Sequence, residues 1–177
     1  MDARSLADLL TEELRAVGNP DRATQEKAYL KSDLEFFGES VWEIRRVAKS
    51  FVTGAPAMAH DDLVALVAAL WARPVFERRM ASVVLLELHP RLLGPPDLPL
   101  IERLVRESLT WALVDALATD VVGGILERAP AEVSPVLDRW STDPDFWVRR
   151  ASLLGELQGL RAGACRPPAA PSRSPCG

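Results

Sequence analysis

The sequence predicts an all-α fold, an α-solenoid of antiparallel helix pairs enclosing a concave groove, and three observations carry that prediction. Apolar residues recur at helical spacing nearly throughout residues 1–160, and the one β-rich run, Val83-Val84-Leu85-Leu86, lies inside a longer helical stretch. Breaks at Gly18-Asn19-Pro20, Gly54-Ala55-Pro56, Arg73-Pro74, Gly94-Pro95-Pro96, Pro130 and Asp143-Pro144 cut this span into about eight or nine helices with short loops. Chemically equivalent residues also return every 35 positions over three consecutive copies.

The elements follow from those breaks. Asp21, Asp61, Asp97 and Asp143 stand where a carboxylate caps free amides or complements a helix N-terminal dipole. In each copy an acid (Asp62, Asp97, Glu132) opens the first helix, and Leu63, Leu98, Val133 with Leu66, Ile101, Val136 carry its apolar face. An aromatic (Phe76, Trp111, Phe146) and an alanine (Ala81, Ala116, Ala151) mark the second helix. A helix pair of this length has HEAT or tetratricopeptide size, and the Trp, Leu-Gly and Tyr signature of the latter is absent. The expected architecture is therefore a HEAT-like array. Trp42, Arg46 and Val47, with Tyr29 on the helix before, read as an earlier, degenerate copy.

At 177 residues, 48% hydrophobic and 26% charged, the chain has the composition of one globular domain, expected over residues 1–160. Residues 161–177, RAGACRPPAAPSRSPCG, hold no Leu, Ile, Val or aromatic and are expected to be disordered. A natural flexible tail and a shifted frame in a GC-rich gene both give that composition. Cys165 and Cys176 fall in it with no His or acid nearby, so neither a metal site nor a disulfide framework is expected. No run is long and apolar enough for a membrane span or a secretory signal, which makes the cytoplasm the expected compartment.

The residue before the repeated alanine does not recur: Met80, Asp115 and Arg150 stand there, each four residues after the aromatic and on its helical face. Equivalent positions of a solenoid line one surface, so Trp111, Asp115, Phe146 and Arg150 are expected to be neighbours, with Met80 one step away. Each also has a plainer reading, Trp111 as core, Asp115 as a solvated charge, and Arg149-Arg150 as a wet face or a clamp on Asp115. The net charge of −4 argues against a nucleic-acid partner unless the basic residues share a face. Arg45-Arg46 with Lys49, Arg78-Arg79 and Arg149-Arg150 all fall on second helices, which predicts a basic stripe along the groove. The acids that open the first helices are expected to face outward.

Asn19-Pro20 leading to Ala28-Tyr29-Leu30-Lys31 and Phe37-Gly38, then Leu109-Thr110-Trp111-Ala112-Leu113-Val114-Asp115, then Phe146-Trp147-Val148-Arg149-Arg150-Ala151, resembles the AlkD-like DNA alkylation repair family. The resemblance runs from about Asn19 to Leu160. It implies a DNA glycosylase that removes positively charged N3- and N7-alkylated purines from duplex DNA, with no metal or organic cofactor. By position, Trp111 and Asp115 match the family's catalytic pair, Arg150 its backbone-contacting arginine, and Tyr29 a tyrosine near the lesion. The basic residues Arg149, Arg45, Arg46 and Arg79 are the further DNA-binding candidates.

The chain also departs from the family. Val41-Trp42-Glu43-Ile44-Arg45-Arg46 stands where the family places its Pro and Arg, and residues 161–177 replace further helices that supply another groove tryptophan. A shortened array is expected to leave Leu153, Leu154 and Leu157 uncovered, giving a monomer with a tendency to self-associate. The second reading is a non-catalytic helical-repeat module that binds DNA or a protein.

Overall fold

The computed structural model describes residues 2–53 and 58–157. The Gly54-Ala55-Pro56 break, the tail expected over 161–177 and both cysteines lie outside the described residues.

Every regular element among the described residues is helical: α1 (Ala3–Ala16), α2 (Pro20–Leu30), α3 (Val41–Thr53), α4 (His60–Trp71), α5 (Phe76–Leu88), α6 (Leu98–Arg106), α7 (Trp111–Ala116), α8 (Gly123–Arg128), α9 (Pro130–Ser141) and α10 (Phe146–Gly155). A π-helical segment, Leu117–Val122, joins α7 to α8, and the backbone stays in the right-handed helical region at both junctions. These three pieces therefore make one rod. Helix starts are set by short polar side chains: Asp2 accepts from the Ser5 amide, Asn19 from those of Asp21 and Arg22, and Asp145 from that of Trp147. Asp62 and Asp97 reach back to the amides of Ala59 and Gly94.

The 35-residue register matches the helix pairs α4/α5, α6/α7 and α9/α10. The paired helices α4 and α5 pack together, as do α9 and α10; the second helices also pack in series, α5 on α7 and α7 on α10. This all-helical arrangement is consistent with an α-solenoid. Leu63, Leu66, Leu98, Ile101 and Val133 are all buried at their repeated positions.

Helix α5 departs from the amphipathic pattern, since every residue from Phe76 to Leu86 is buried. The three charged residues of that buried stretch, Glu77, Arg78 and Arg79, each find partners inside. Glu77 accepts the amides of Phe37, Gly38 and Glu39 at 2.8–3.2 Å. Arg78 donates to the Leu70 and Ala69 carbonyls and to the Thr11 hydroxyl. Arg79 donates to the Glu107 carbonyl and lies over the Trp71 ring. The expected basic stripe is therefore broken at its second step: Arg78 and Arg79 are buried, because the other elements close around α5. Met80 is buried too, so the aromatic-plus-four face is closed in the first copy. Asp97 likewise does not face outward; it is buried, and its second oxygen accepts from or pairs with His60 Nε2 at 2.8 Å.

The loop before α3 sits hard against the start of α2. Gly38 has φ +88°, and a Cβ there would stand 2.0 Å from the Asn19 carbonyl oxygen. Only glycine fits. Gly38→Ala is expected to destabilise the protein by about 2 kcal/mol or more, read as a shift in the urea midpoint.

His60 pins α4 to the turn before α6 through Asp97 and also contacts Asp61, and these carboxylates raise its pKa above the ordinary 6.5. With the folded value above the unfolded one, this contribution is full below pH 6.5 and is lost as the pH rises through the folded value. Stability measured across that window should fall in the wild type, and the fall should be smaller in His60→Gln.

Candidate nucleic-acid interface

Trp111 opens α7 and Asp115 follows one turn later, so the two share a face. The approach to Trp111 is strained: Leu109 has φ +57°, and the buried Thr110 hydroxyl has no partner among the described residues. Beyond Asp115 the rod widens into its π segment, and Thr119 Oγ1 donates to the Asp115 carbonyl at 2.8 Å. Such widened turns recur at functional sites. Nothing in the sequence pattern marks this one.

Arg150 reaches Asp115 from the next helix pair. Its Nε and Nη2 donate to the two carboxylate oxygens at 2.6 and 2.8 Å, a two-point ion pair. Asp115 raises the Arg150 pKa in return. Among the described residues Arg150 Nη1 has no hydrogen-bond partner. Tyr29, at the end of α2 and 72% exposed, sets its ring edge-on to Trp111 with centroids 6.0 Å apart and an interplanar angle of 80°. Four residues spread over 122 positions of sequence thus form one half-exposed cluster of two aromatics, a carboxylate and a guanidinium.

The other candidates distribute differently. Arg149 Nη1 donates to the Asp143 and Pro144 carbonyls, tying the start of α10, and its guanidinium lies 6.0 Å from the exposed Phe146 ring. Arg45 pairs with Glu87 and stands 3.8 Å from Asp120 in the π segment, which brings α3 beside the helix that carries Asp115. Burial pushes the Glu87 carboxyl up, against the pull of Arg45. Arg46 pairs with Glu43 at 2.7 Å and lines a separate cavity between the starts of α2 and α3. Arg79 is excluded from any exposed surface by its burial.

Sequence reasoning missed the structural charges. Arg106 makes a two-point pair with Asp143 and also holds Glu102, which in turn accepts from the Trp140 indole; these contacts raise the Arg106 pKa and lower that of Asp143. Glu77 was visible in principle, because its repeat equivalents are Ala112 and Trp147. Among the described residues no group of three His, Cys, Asp or Glu is placed to hold a metal ion, and no helix is long and apolar enough to cross a membrane.

Residues 10–166 match the family model described as DNA alkylation repair enzyme. The chain belongs to that family. No curated protein matches the chain. The membership agrees with the resemblance carried by Asn19-Pro20, Phe37-Gly38 and the two later segments. It supports a role in DNA repair, with DNA as the partner of the DNA alkylation repair protein.

Because Asp115 and Arg150 are each about one-third exposed, their pair is screened but geometrically tight. A double-mutant cycle on Asp115→Ala and Arg150→Ala is expected to give a coupling of about 1 kcal/mol in unfolding free energy. A value near zero would mean that the pair opens freely in solution.

Proposed function

We propose that this DNA alkylation repair enzyme is a monofunctional glycosylase. On this reading it hydrolyses the N-glycosidic bond of positively charged N3- and N7-alkylated purines in duplex DNA. The observation that carries the reading is the convergence of Tyr29, Trp111, Asp115 and Arg150 from α2, α7 and α10 on one accessible cluster.

The chemistry suits those groups. A cationic purine is already a good leaving group, so catalysis needs stabilisation of the oxocarbenium-like sugar rather than strong acid. Asp115 supplies a carboxylate for that developing charge and orients the attacking water. Trp111 offers a π face to the cationic nucleotide, a contact of about 0.5–2 kcal/mol, and Tyr29 braces it edge-on. Arg150 holds Asp115 through Nε and Nη2 and keeps Nη1 for a flanking phosphate. Arg149, whose guanidinium lies near the exposed Phe146 ring, and Arg45, which pairs with Glu87, remain as further phosphate-contact candidates on this reading. Arg46 and Arg79 drop out of this set, one directed to a separate cavity and the other buried.

The two-point pair also favours a second reading, in which Asp115 and Arg150 simply clamp consecutive helix pairs in a non-catalytic DNA- or protein-binding module. Release of alkylated purine from methylated duplex DNA separates the two. Under the glycosylase reading, Asp115→Asn lowers release by roughly 100-fold or more while duplex affinity and its salt dependence persist. Folded wild-type protein that releases no base would overturn the glycosylase reading in favour of the module.

A further inference from the structure

The rod that carries Asp115 is also held by charges that lie outside the Tyr29–Trp111–Asp115–Arg150 cluster. Arg45 of α3 donates through both terminal nitrogens to the two carboxylate oxygens of Glu87 of α5, at 3.0 Å for Nη2. The same Nη2 stands 3.8 Å from Asp120 of the π segment, so three elements meet at one guanidinium. The Glu87 side chain is 11% exposed and that of Asp120 42%. Burial pushes the Glu87 carboxyl up, and Asp120 pushes it further against the pull of Arg45, since two carboxylates here share one cation.

The turn reached by Arg45 has two contacts on α10 to reconcile. Just before it, Asp115 takes the two-point bond from Arg150. Within it, Val122 and the Ala118 carbonyl lie against Gly155, where an added Cβ would stand 3.1 Å from Val122 Cγ1 and 3.7 Å from that oxygen. Narrowing the turn to ordinary α spacing would rotate one side by about 100° relative to the other. Asp115 and Val122 could not then both keep their places on α10. The wider spacing of Leu117–Val122 is what lets them coexist. Thr119 ties this turn to the backbone of Asp115 through its hydroxyl, and Asp120 is the next residue.

We propose that Asp120 is a positioning residue for Asp115: its attraction to the Arg45–Glu87 pair keeps the turn widened, and the widened turn holds the Asp115 carboxylate square to Arg150. Asp120 touches no substrate on this account. Removing its charge leaves the more buried Arg45–Glu87 pair intact, so the fold persists while the Asp115–Arg150 bond opens more often. Only the purpose of that positioning rests on the glycosylase reading.

The test follows the Arg150 Nε–H signal in proton–nitrogen correlation spectra of the full chain, identified as the arginine side-chain signal that Arg150→Lys removes. Its exchange with water is expected to be slow in the wild type. In Asp120→Asn it should quicken about fivefold, the scale of a half-exposed ion pair. Asp120→Lys, which replaces attraction by repulsion, should quicken it further, and Asp120→Glu should restore the wild-type rate. Indole signals in the same spectra show that each variant is folded. In release of alkylated purine from methylated duplex DNA, Asp120→Asn should lower the single-turnover rate about fivefold and leave duplex affinity within about twofold. Fast exchange in the wild type, or exchange unchanged in both Asp120→Asn and Asp120→Lys, would overturn the proposal. Graded exchange in a folded protein that releases no base would defeat the glycosylase reading alone and support the positioning of Asp115.

Discussion

The burial of α5 from Phe76 to Leu86 is the constraint on which the other elements depend. Glu77, Arg78 and Arg79 are consecutive, so their side chains leave the helix roughly 100° apart, each toward a different neighbour. A buried charge is tolerable only with partners, and here each partner is a backbone or hydroxyl group on another element. Glu77 gathers the loop before α3, Arg78 takes the last carbonyls of α4 and the Thr11 hydroxyl of α1, and Arg79 takes the carbonyl just past α6. Apolar packing alone would let these elements slide along α5. The hydrogen bonds fix their positions.

Two of those bonds determine where the candidate site lies. The loop that Glu77 anchors follows α2, and α2 ends on Tyr29-Leu30. The Glu107 carbonyl that Arg79 anchors lies four residues before Trp111. Both sides of the Tyr29–Trp111 contact are thus held by neighbouring charges of one buried helix, although neither charge touches the site. Phe36, in the loop that Glu77 anchors, also stacks on Phe76 of α5, with centroids 5.1 Å apart.

The helical pattern and the period were legible because burial acts on each copy alike: Leu63, Leu98 and Val133 face the same kind of neighbour and so are the same kind of residue. The site was legible for the opposite reason, since Asp115 and Arg150 break the period at a position whose geometry the period defines. The internal charges were not legible. Arg78-Arg79 and Asp97 look like solvated residues in sequence; the packing of α1, α3, α4 and α7 around α5 buries the first two, and His60 of α4 and the Gly94 turn enclose the third. The widened turn at Leu117–Val122 leaves no mark, because its buried Leu117, Ala118, Val121 and Val122 and its polar Thr119 and Asp120 keep the pattern of an ordinary amphipathic turn.

The repeated face on which the candidate site rests has a different fate in each copy. In the first it is covered, with Phe76 and Met80 both 2% exposed. In the second and third the cover is gone, and Trp111 and Phe146 are 38% and 56% exposed. A charge at Met80 would be trapped in the core, whereas a charge at Asp115 or Arg150 keeps access to water and to a ligand. Opposite charges at the same position of adjoining copies then meet across one repeat, which gives the two-point bond without any change of backbone. Such a pair is nearly neutral as a whole. On the proposed glycosylase reading, an approaching phosphate would therefore meet little net charge at the pair and would be held by the Arg150 Nη1 donors that Asp115 does not use.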